Sequence, residues 1–521
     1  MTRLLCLCWV LVALSGVAFS AEPAVKPGVR LPAVFADHMV LQREMKVPVW
    51  GTAAAGEKVT VKFGEQGAST TADAKGKWMV RLEPMKAGGP FEMTVAGKTS
   101  VTIKDILVGE VWLCSGQSNM AMTVRGCDNA KAEIEASKGL MQIRHYRTGR
   151  SNSLMPRAGT GGRWQVCNDK TVGYFTATGF FFGRKLHGDL DVPVGLINSS
   201  VGGTSIRSWT NRLPLRPGVV EKTPDPDSPE LLQAVAEYGK ATGEWSKAYR
   251  AARKEKKRAP PRPKVPALLA GAYPRHGGLY NGMIYPLIPY GIRGAIWYQG
   301  EADAGRAYGY REQLPAMIKG WREAWGQGEF PFFFVQLPNY QRPDIGPRDA
   351  SWAVVRESQA AALAVPNTGM AVTIDTALKG SLHPRNKRPV GERLALCALA
   401  TVYGKDVVYR GPTYDRREID GAKVRVHFRH VGGGLVVKGD TLKGFAIAGE
   451  DKKWVWADAK IDGDTVIVRS DKVAEPVAVR YAWGLNPPCS LYNKEGLPAA
   501  PFRTDSWPVV TQPKPAVQRK K

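Results

Sequence analysis

Five short apolar runs constrain the fold of this chain most strongly. Each is rich in Val, Ile and aromatic residues, which is typical of parallel strands buried on both faces. The runs are ILVGEVWLC (106–114), VPVGLINSS (192–200), GAIWYQG (294–300), FPFFFVQL (330–337) and TGMAVTID (368–375). Amphipathic segments such as TGFFFGRKLHGDL and GERLALCALATVYG lie between them. This alternation predicts an α/β fold with a doubly wound parallel sheet over residues 106–404.

Short strands with alternating polarity flank this region on both sides. Residues 28–105 contain runs such as KVTVKFGE broken by Gly turns, and residues 405–510 contain runs such as AKVRVHFRH. The spacing predicts β-sandwich-like accessory regions at the N-terminal and C-terminal sides. Within the central region, residues 225–265 predict a basic helical insertion, and residues 511–521 form a basic tail.

The N-terminal segment predicts export. Residues 4–19 are almost entirely apolar, follow Arg3, and precede the small residue Ser20. This pattern is typical of a signal peptide at 1–20, because its apolar core is short for a bilayer span. We therefore expect a secreted or periplasmic protein without stable membrane insertion. The five cysteines beyond this segment are odd in number and widely spaced, which excludes a disulfide scaffold.

The chain is strongly basic, with a formal net charge of +26. The charge is uneven, since residues 240–264 hold ten Lys and Arg against two Glu, and the tail adds four more. Basic runs are commonly solvated faces, and an exported protein seldom meets nucleic acid, so we expect no nucleic-acid partner. The excess of positive charge favours attraction to an anionic polysaccharide.

Polar, Gly-containing turns follow four of the five apolar runs. Because the carboxyl ends of parallel strands meet at one edge of a sheet, we expect these turns to form one crevice. The candidate residues in the turns are Ser118, Gly202, Gly203, Gln299, Glu301 and His383.

These residue types suit acyl transfer. A serine such as Ser118 needs an imidazole, here His383, to take its proton and return it to the leaving group. The oxyanion needs donors, for which the backbone N–H of Ser118, an N–H at Gly202 or Gly203, and the Gln299 amide are candidates. Taken singly, Ser118 could instead cap a helix, and the paired glycines could form only a tight turn. Since the chain has no HExxH motif or cluster at ligand spacing, we expect neither a metal nor a cofactor.

Several motifs together resemble the sialate O-acetylesterase family. They are GQSNM, GGTSI, LYNGMIYPLIPYGIRGAIWYQGEADA (279–304), the His-Pro-x-Asn-Lys run at 383–387 and LYNKEGLPAAPFRTD (491–505). That family belongs to the SGNH hydrolases and is similar to the acetylxylan esterases. The resemblance implies that Ser118 is the nucleophile and His383 the general base. It also implies an oxyanion hole of the Ser118 N–H, Gly203 and Gln299, with Gln299 replacing the Asn of other SGNH enzymes.

The acidic partner of the histidine departs from the family pattern. SGNH relatives often carry it two or three residues before the histidine, where this chain has Ser381 and Gly380. Two candidates remain: Glu301, which we favour, and Asp375, which ends the last predicted strand. A backbone carbonyl could orient the imidazole instead.

Two functions follow from this reasoning. The favoured one is a secreted serine esterase that removes O-acetyl groups from sialic acid or a polysaccharide through an acyl-enzyme on Ser118. The alternative is a catalytically silent carbohydrate-binding protein on the same scaffold. Neither the particular sugar nor the oligomeric state follows from the sequence.

Overall fold

The computed structural model describes residues 28–211, 229–255, 257–272, 277–377 and 380–513. The expected signal peptide at 1–20 and residues 514–521 of the basic tail lie outside this part of the chain. None of the described helices combines the length and the apolar composition that a membrane crossing needs.

The N-terminal region consists of β-strands, most of which are short. Several alternate buried and exposed side chains, as a sheet with one solvated face requires. The strands are β1 (Val40–Gln42), β2 (Val47–Thr52), β3 (Lys58–Phe63), β4 (Gln66–Thr71), β5 (Lys77–Leu82), β6 (Gly88–Ala96) and β7 (Ser100–Gly116).

Strand β7 joins this region to the central sheet. Its first part pairs antiparallel with β6, and its second part, from Glu110 to Gly116, pairs in parallel with two strands that lie further along the chain, at Val194–Ser200 and Gly294–Tyr298. The expected boundary at residues 105–106 therefore falls inside one continuous strand. Accordingly, Val61 of β3 and Val111 of β7 belong to the same hydrophobic core.

The central sheet confirms the α/β architecture. Its further strands are β8 (Ile143–Thr148), β9 (Gly162–Val166), β10 (Val194–Ser200), β11 (Gly294–Tyr298), β12 (Phe332–Gln336) and β13 (Thr368–Val372). The order is β13-β12-β11-β7-β10-β8-β9, and neighbours are parallel except for the β8–β9 pair. With the N-terminal strands attached through β7, the sheet is large and mixed, with 11 strands.

Both faces of the central sheet are covered. Along β7, Val111 and Leu113 belong to one hydrophobic core, whereas Trp112 and Cys114 belong to the other. This alternation explains why the strand sequences are apolar throughout rather than at every second position.

Helices pack on the sheet and also form the insertion. They are α1 (Ser118–Ala121), α2 (Ala130–Glu135), α3 (Ala177–Leu190), α4 (Pro229–Lys254), α5 (Ala267–Ala272), α6 (Tyr310–Trp325), α7 (Ser351–Ala361) and α8 (Arg388–Thr401). Residues of α6 join the core shared with the N-terminal strands, and those of α3, α7 and α8 join the other core. The basic insertion is mainly α4, whose Leu231 packs against Leu269 of α5.

The C-terminal region is again made of strands. They are β14 (Thr413–Asp420), β15 (Lys423–Arg429), β16 (Leu435–Val437), β17 (Phe445–Ala448), β18 (Val455–Trp456), β19 (Asp458–Asp462), β20 (Thr465–Arg469), β21 (Ala478–Tyr481), β22 (Leu491–Asn493) and β23 (Phe502–Arg503). They form antiparallel sheets in the orders β14-β15-β20-β19, β18-β17-β21-β23 and β16-β22. One hydrophobic core joins Val426 of β15, Ile447 of β17 and Leu491 of β22.

The register of the central strands aligns the ends that carry the candidate residues. Ser115 of β7 pairs with Ser199 of β10 on one side and with Trp297 of β11 on the other. The turns after these three strands therefore leave the sheet at the same height, side by side.

Candidate active site

The turn after β7 presents Ser118. Gly116 has a φ of +134° and packs so closely that a Cβ there would lie 2.2 Å from the Tyr298 carbonyl oxygen. Only glycine fits this position. The next residue, Gln117, donates its N–H to the same carbonyl at 2.9 Å, and Ser118 then begins α1. The strand end is thus fixed, and the serine hydroxyl is left half-buried above it.

The structure brings Ser118 and His383 together. The Ser118 Oγ lies 2.8 Å from the His383 Nε2, within hydrogen-bond distance. Partial desolvation lowers the pKa of His383 from its ordinary value, and the nearby Lys387 charge lowers it further. The imidazole is therefore biased toward its neutral form, which is the form that accepts a proton from a hydroxyl.

The glycine turn after β10 lies against the serine. A Cβ on Gly202 would be 3.3 Å from the Ser118 Cβ, and Gly203 has a φ of +72°. Among the described residues, the N–H groups of Ser118, Gly202 and Gly203 donate to no protein acceptor. The site therefore has backbone donors available for an oxyanion beside the hydroxyl.

Gln299, at the end of β11, is fully buried, and its side chain is already engaged. Its Nε2 donates to the Thr204 carbonyl at 3.1 Å and to Asp303 Oδ2 at 2.7 Å. Its Oε1 accepts from the Tyr310 hydroxyl at 2.9 Å. Both amide hydrogens therefore support the segment that follows Gly203, and the structure does not aim either of them into the crevice.

Neither candidate acid contacts the imidazole. Glu301 Oε1 accepts from the Asn119 side-chain amide at 2.5 Å. Asp375 forms a bidentate ion pair with Arg393, at 2.6 and 2.8 Å, and accepts from the Tyr492 hydroxyl at 3.3 Å. Within the part of the chain that the structure describes, no carboxylate is hydrogen bonded to His383.

Sequence reasoning missed three buried polar residues beside the site. Asp303 accepts from the Ser205 hydroxyl at 2.5 Å and from the Ile206 N–H at 2.8 Å, so it holds the loop after the paired glycines. Asn119 and Lys387 are joined by a 2.6 Å hydrogen bond. All three lie inside the motifs quoted above, but a sequence pattern does not reveal that a lysine such as Lys387 is only 1% exposed.

Comparisons with known proteins identify relatives of this chain. A family model described as a carbohydrate esterase, sialic acid-specific acetylesterase, matches residues 272–399. The sialate O-acetylesterase of Rattus norvegicus is 33% identical over 525 residues, covering 91% of this chain and 94% of that protein. The sialate O-acetylesterase of Homo sapiens is 31% identical, with coverage of 92% and 94%.

A solved structure supports the same assignment. The crystal structure of a carbohydrate acetylesterase from Xanthomonas citri is 38% identical and matches with a TM-score of 0.77, covering 92% of this chain and all of that one. The chain therefore belongs to the sialate O-acetylesterase family and is a carboxylic ester hydrolase.

Proposed function

We propose that this protein removes O-acetyl groups from sugars through an acyl-enzyme on Ser118. The observation that carries the proposal is the 2.8 Å contact between the Ser118 hydroxyl and the His383 imidazole. A serine with its ordinary pKa is a poor nucleophile, and a neutral imidazole at this distance supplies the missing base.

The reaction has two halves. In the first, His383 Nε2 takes the proton from Ser118 Oγ as the oxygen attacks the acetyl carbonyl carbon. The tetrahedral intermediate then collapses, the bond to the sugar oxygen breaks, and that oxygen takes the proton from His383. In the second half, His383 deprotonates a water that attacks the acetyl-serine. Collapse then releases acetic acid, which ionises to acetate in solution, while the proton on His383 returns to Ser118 Oγ.

The oxyanion of both intermediates is assigned to backbone donors. The N–H groups of Ser118, Gly202 and Gly203 have no other acceptor in the described chain, and the Gly202 backbone packs against Ser118. Gln299 supports this turn through Thr204 and Asp303. To serve as a further donor, it must give up one of those two hydrogen bonds during the reaction.

The proposal extends to the scaffold. We assign residues 106–404 to an SGNH-like esterase domain with a doubly wound sheet, since β10 and β11 flank β7 on opposite sides. Residues 28–105 and 405–510 are proposed as sandwich-like accessory regions, with the basic insertion at about 225–265. The apolar segment at 1–20 supports export, which N-terminal sequencing of the mature protein tests directly.

The substrate is proposed to be an acetylated, anionic glycan. The net charge of +26 supports this choice, as do the exposed basic side chains of α4, such as Lys247, Arg250 and Arg253. A screen of acetate release over acetylated sialosides, acetylated xylan and acetylated anionic polysaccharides tests it. The proposal expects faster turnover of the anionic substrates, with an advantage that falls as salt is added.

The reaction itself is tested with p-nitrophenyl acetate. Wild-type protein is expected to release acetate, and Ser118→Ala is expected to lose this activity while keeping its thermal stability. A folded wild-type protein that releases no acetate from any of these substrates would overturn the proposal in favour of a carbohydrate-binding role.

A further inference from the structure

The two carbonyl groups that flank His383 are both held by side chains. The Leu382 carbonyl accepts from the Asn119 Nδ2 at 3.0 Å, and the Pro384 carbonyl accepts from the Lys387 Nζ at 2.7 Å. The backbone is therefore fixed immediately before and immediately after the histidine. The imidazole itself has no carboxylate partner among the described residues.

Asn119 is the centre of this arrangement. Its side chain is fully buried, and both of its amide hydrogens and its oxygen are hydrogen bonded. The Nδ2 donates to Glu301 Oε1 as well as to the Leu382 carbonyl, and the Oδ1 accepts from the Lys387 Nζ. Because Asn119 follows Ser118 directly, the nucleophile turn and the histidine loop are tied through one amide.

Lys387 is an unusual group to find in this position. Its ammonium donates to Asn119 and Pro384 and lies 5.2 Å from the centre of the Tyr298 ring. Burial lowers the pKa of Lys387 to about 7, while Glu301, and to a lesser extent Cys127 and Asp128, act in the opposite direction. Burying a lysine this fully destabilises the folded state unless its ammonium group is hydrogen bonded or paired with a charge.

Glu301 completes the group from the other side of Asn119. Its second oxygen, Oε2, is buried and has no hydrogen-bond partner in the described chain. Burial raises the pKa of Glu301, whereas the hydrogen bond from Asn119 and the Lys387 charge lower it. Glu301 and Lys387 are therefore linked through the Asn119 amide, which is hydrogen bonded to both.

We propose that Asn119, Lys387 and Glu301 form a clamp that helps to orient the His383 imidazole by fixing the backbone on both sides of it, which is one of the tasks that a carboxylate performs in a Ser-His-Asp triad. The clamp rests on the proposed roles of Ser118 and His383. Its members are positioning residues, because none of them touches the reacting atoms. Lys387 also places a positive charge near the imidazole, which opposes formation of the imidazolium.

The test replaces Lys387 in two ways. Lys387→Met removes the charge and the donors but keeps an unbranched side chain, and Lys387→Gln removes the charge but keeps an amide donor. Arg385→Met is the matched control, since it removes an exposed positive charge from the same loop without touching the clamp. All are compared with wild type in kcat, KM, the pH profile of kcat/KM and thermal melting.

The clamp predicts a loss in kcat on the order of 10²-fold for Lys387→Met, with KM nearly unchanged, because a displacement of about 1 Å has that effect. It predicts a smaller loss for Lys387→Gln. In both variants, the acid limb of the pH profile moves to higher pH, because the positive charge beside His383 is gone. Arg385→Met keeps wild-type kcat.

Two results would overturn the clamp. One is wild-type kcat with an unmoved pH profile in both Lys387 variants, and the other is an equal loss in Arg385→Met. If Lys387→Met does not fold, the pH profile of Lys387→Gln decides. Failure of the proposed function is distinguishable, since Ser118→Ala and His383→Ala would then retain activity whatever the Lys387 variants do.

Discussion

Asp303 accepts a hydrogen bond from the Gln299 side-chain amide at 2.7 Å, directly beneath the loop that carries the paired glycines. Asp303 is 1% exposed and also accepts from Ser205 and Ile206. The loop that carries the proposed oxyanion donors is therefore anchored to the end of β11 through a buried carboxylate.

Replacing this carboxylate tests its anchoring role. In Asp303→Asn, an NH₂ group replaces one carboxylate oxygen, so a hydrogen-bond donor takes the place of an acceptor. At least one of the buried donors that Asp303 accepts from is then left unpaired. We expect the free energy of unfolding to fall by about 1–3 kcal/mol. We also expect a lower kcat with little change in KM. Chemical denaturation measures the free energy of unfolding, and steady-state kinetics on p-nitrophenyl acetate measure kcat and KM. An unchanged kcat would show that Asp303 does not position the loop of the proposed oxyanion donors.

The two glycines after β10 should respond differently to alanine. In Gly202→Ala, the added methyl group lies 3.3 Å from the Ser118 side chain, so we expect kcat to fall more than stability. In Gly203→Ala, the methyl group meets open space but the φ of +72° is retained, so we expect a loss of roughly 1–2 kcal/mol in stability. Measuring kcat and unfolding for both variants tests the pair. Equal changes in kcat and in stability for the two variants would contradict the geometry assigned to Gly202 and Gly203.

The pH dependence follows from the environment of His383. Burial, and then the Lys387 charge, hold its pKa below the ordinary value of about 6.5. In the proposed mechanism the neutral form of His383 is the base, and a lowered pKa keeps that form populated at lower pH. The acid limb of kcat/KM is therefore expected to have its inflection below pH 6.5. An inflection above that value would contradict the arrangement of His383 and Lys387.

The two predicted acids are distinguished by kcat. Removing a direct acid partner costs about 10⁴-fold in kcat. Since Glu301 acts through Asn119, we expect Glu301→Gln to lose on the order of 10-fold, because the amide can still accept from Asn119. A loss near 10⁴-fold would instead establish Glu301 as a direct partner of the imidazole.

Asp375→Asn provides the comparison. Asp375 and Arg393 are largely buried, so breaking their ion pair is expected to cost about 3–5 kcal/mol of stability. We expect kcat at 25 °C to stay close to that of wild type in the protein that remains folded. Thermal melting and kinetics on the same sample separate these effects, and a selective loss of kcat would assign the acid to Asp375.

The strand pattern predicted more of the fold than of the hydrogen bonding. Apolar runs such as 106–114 identify strands buried on both faces, because such burial requires an apolar residue at nearly every position. The continuation of β7 into the N-terminal sheet leaves no comparable pattern in the sequence. A strand can change partners along its length, and β7 does so. The boundary predicted at residues 105–106 therefore lies inside this strand.

The location of the candidate site was predicted from the sequence, but only some of its side-chain contacts were. Ser118, Gly202 and His383 meet because strand ends converge, which follows from topology. The partners of Gln299 and Glu301 depend on side-chain directions that local spacing does not encode. A buried Lys387 has the same local pattern as an exposed one, because its burial comes from distant residues such as Tyr298.

The central claim is that Ser118 is the hydroxyl activated by His383. The most direct measurement is peptide mapping after reaction with a fluorophosphonate, which labels activated serine hydroxyls. Ser115 is the internal control, since its hydroxyl is fully buried and donates to the Ser199 carbonyl at 2.7 Å. We predict one adduct at Ser118 in wild-type protein and none in His383→Ala. An adduct at Ser115, or undiminished labelling of Ser118 in His383→Ala, would contradict the account.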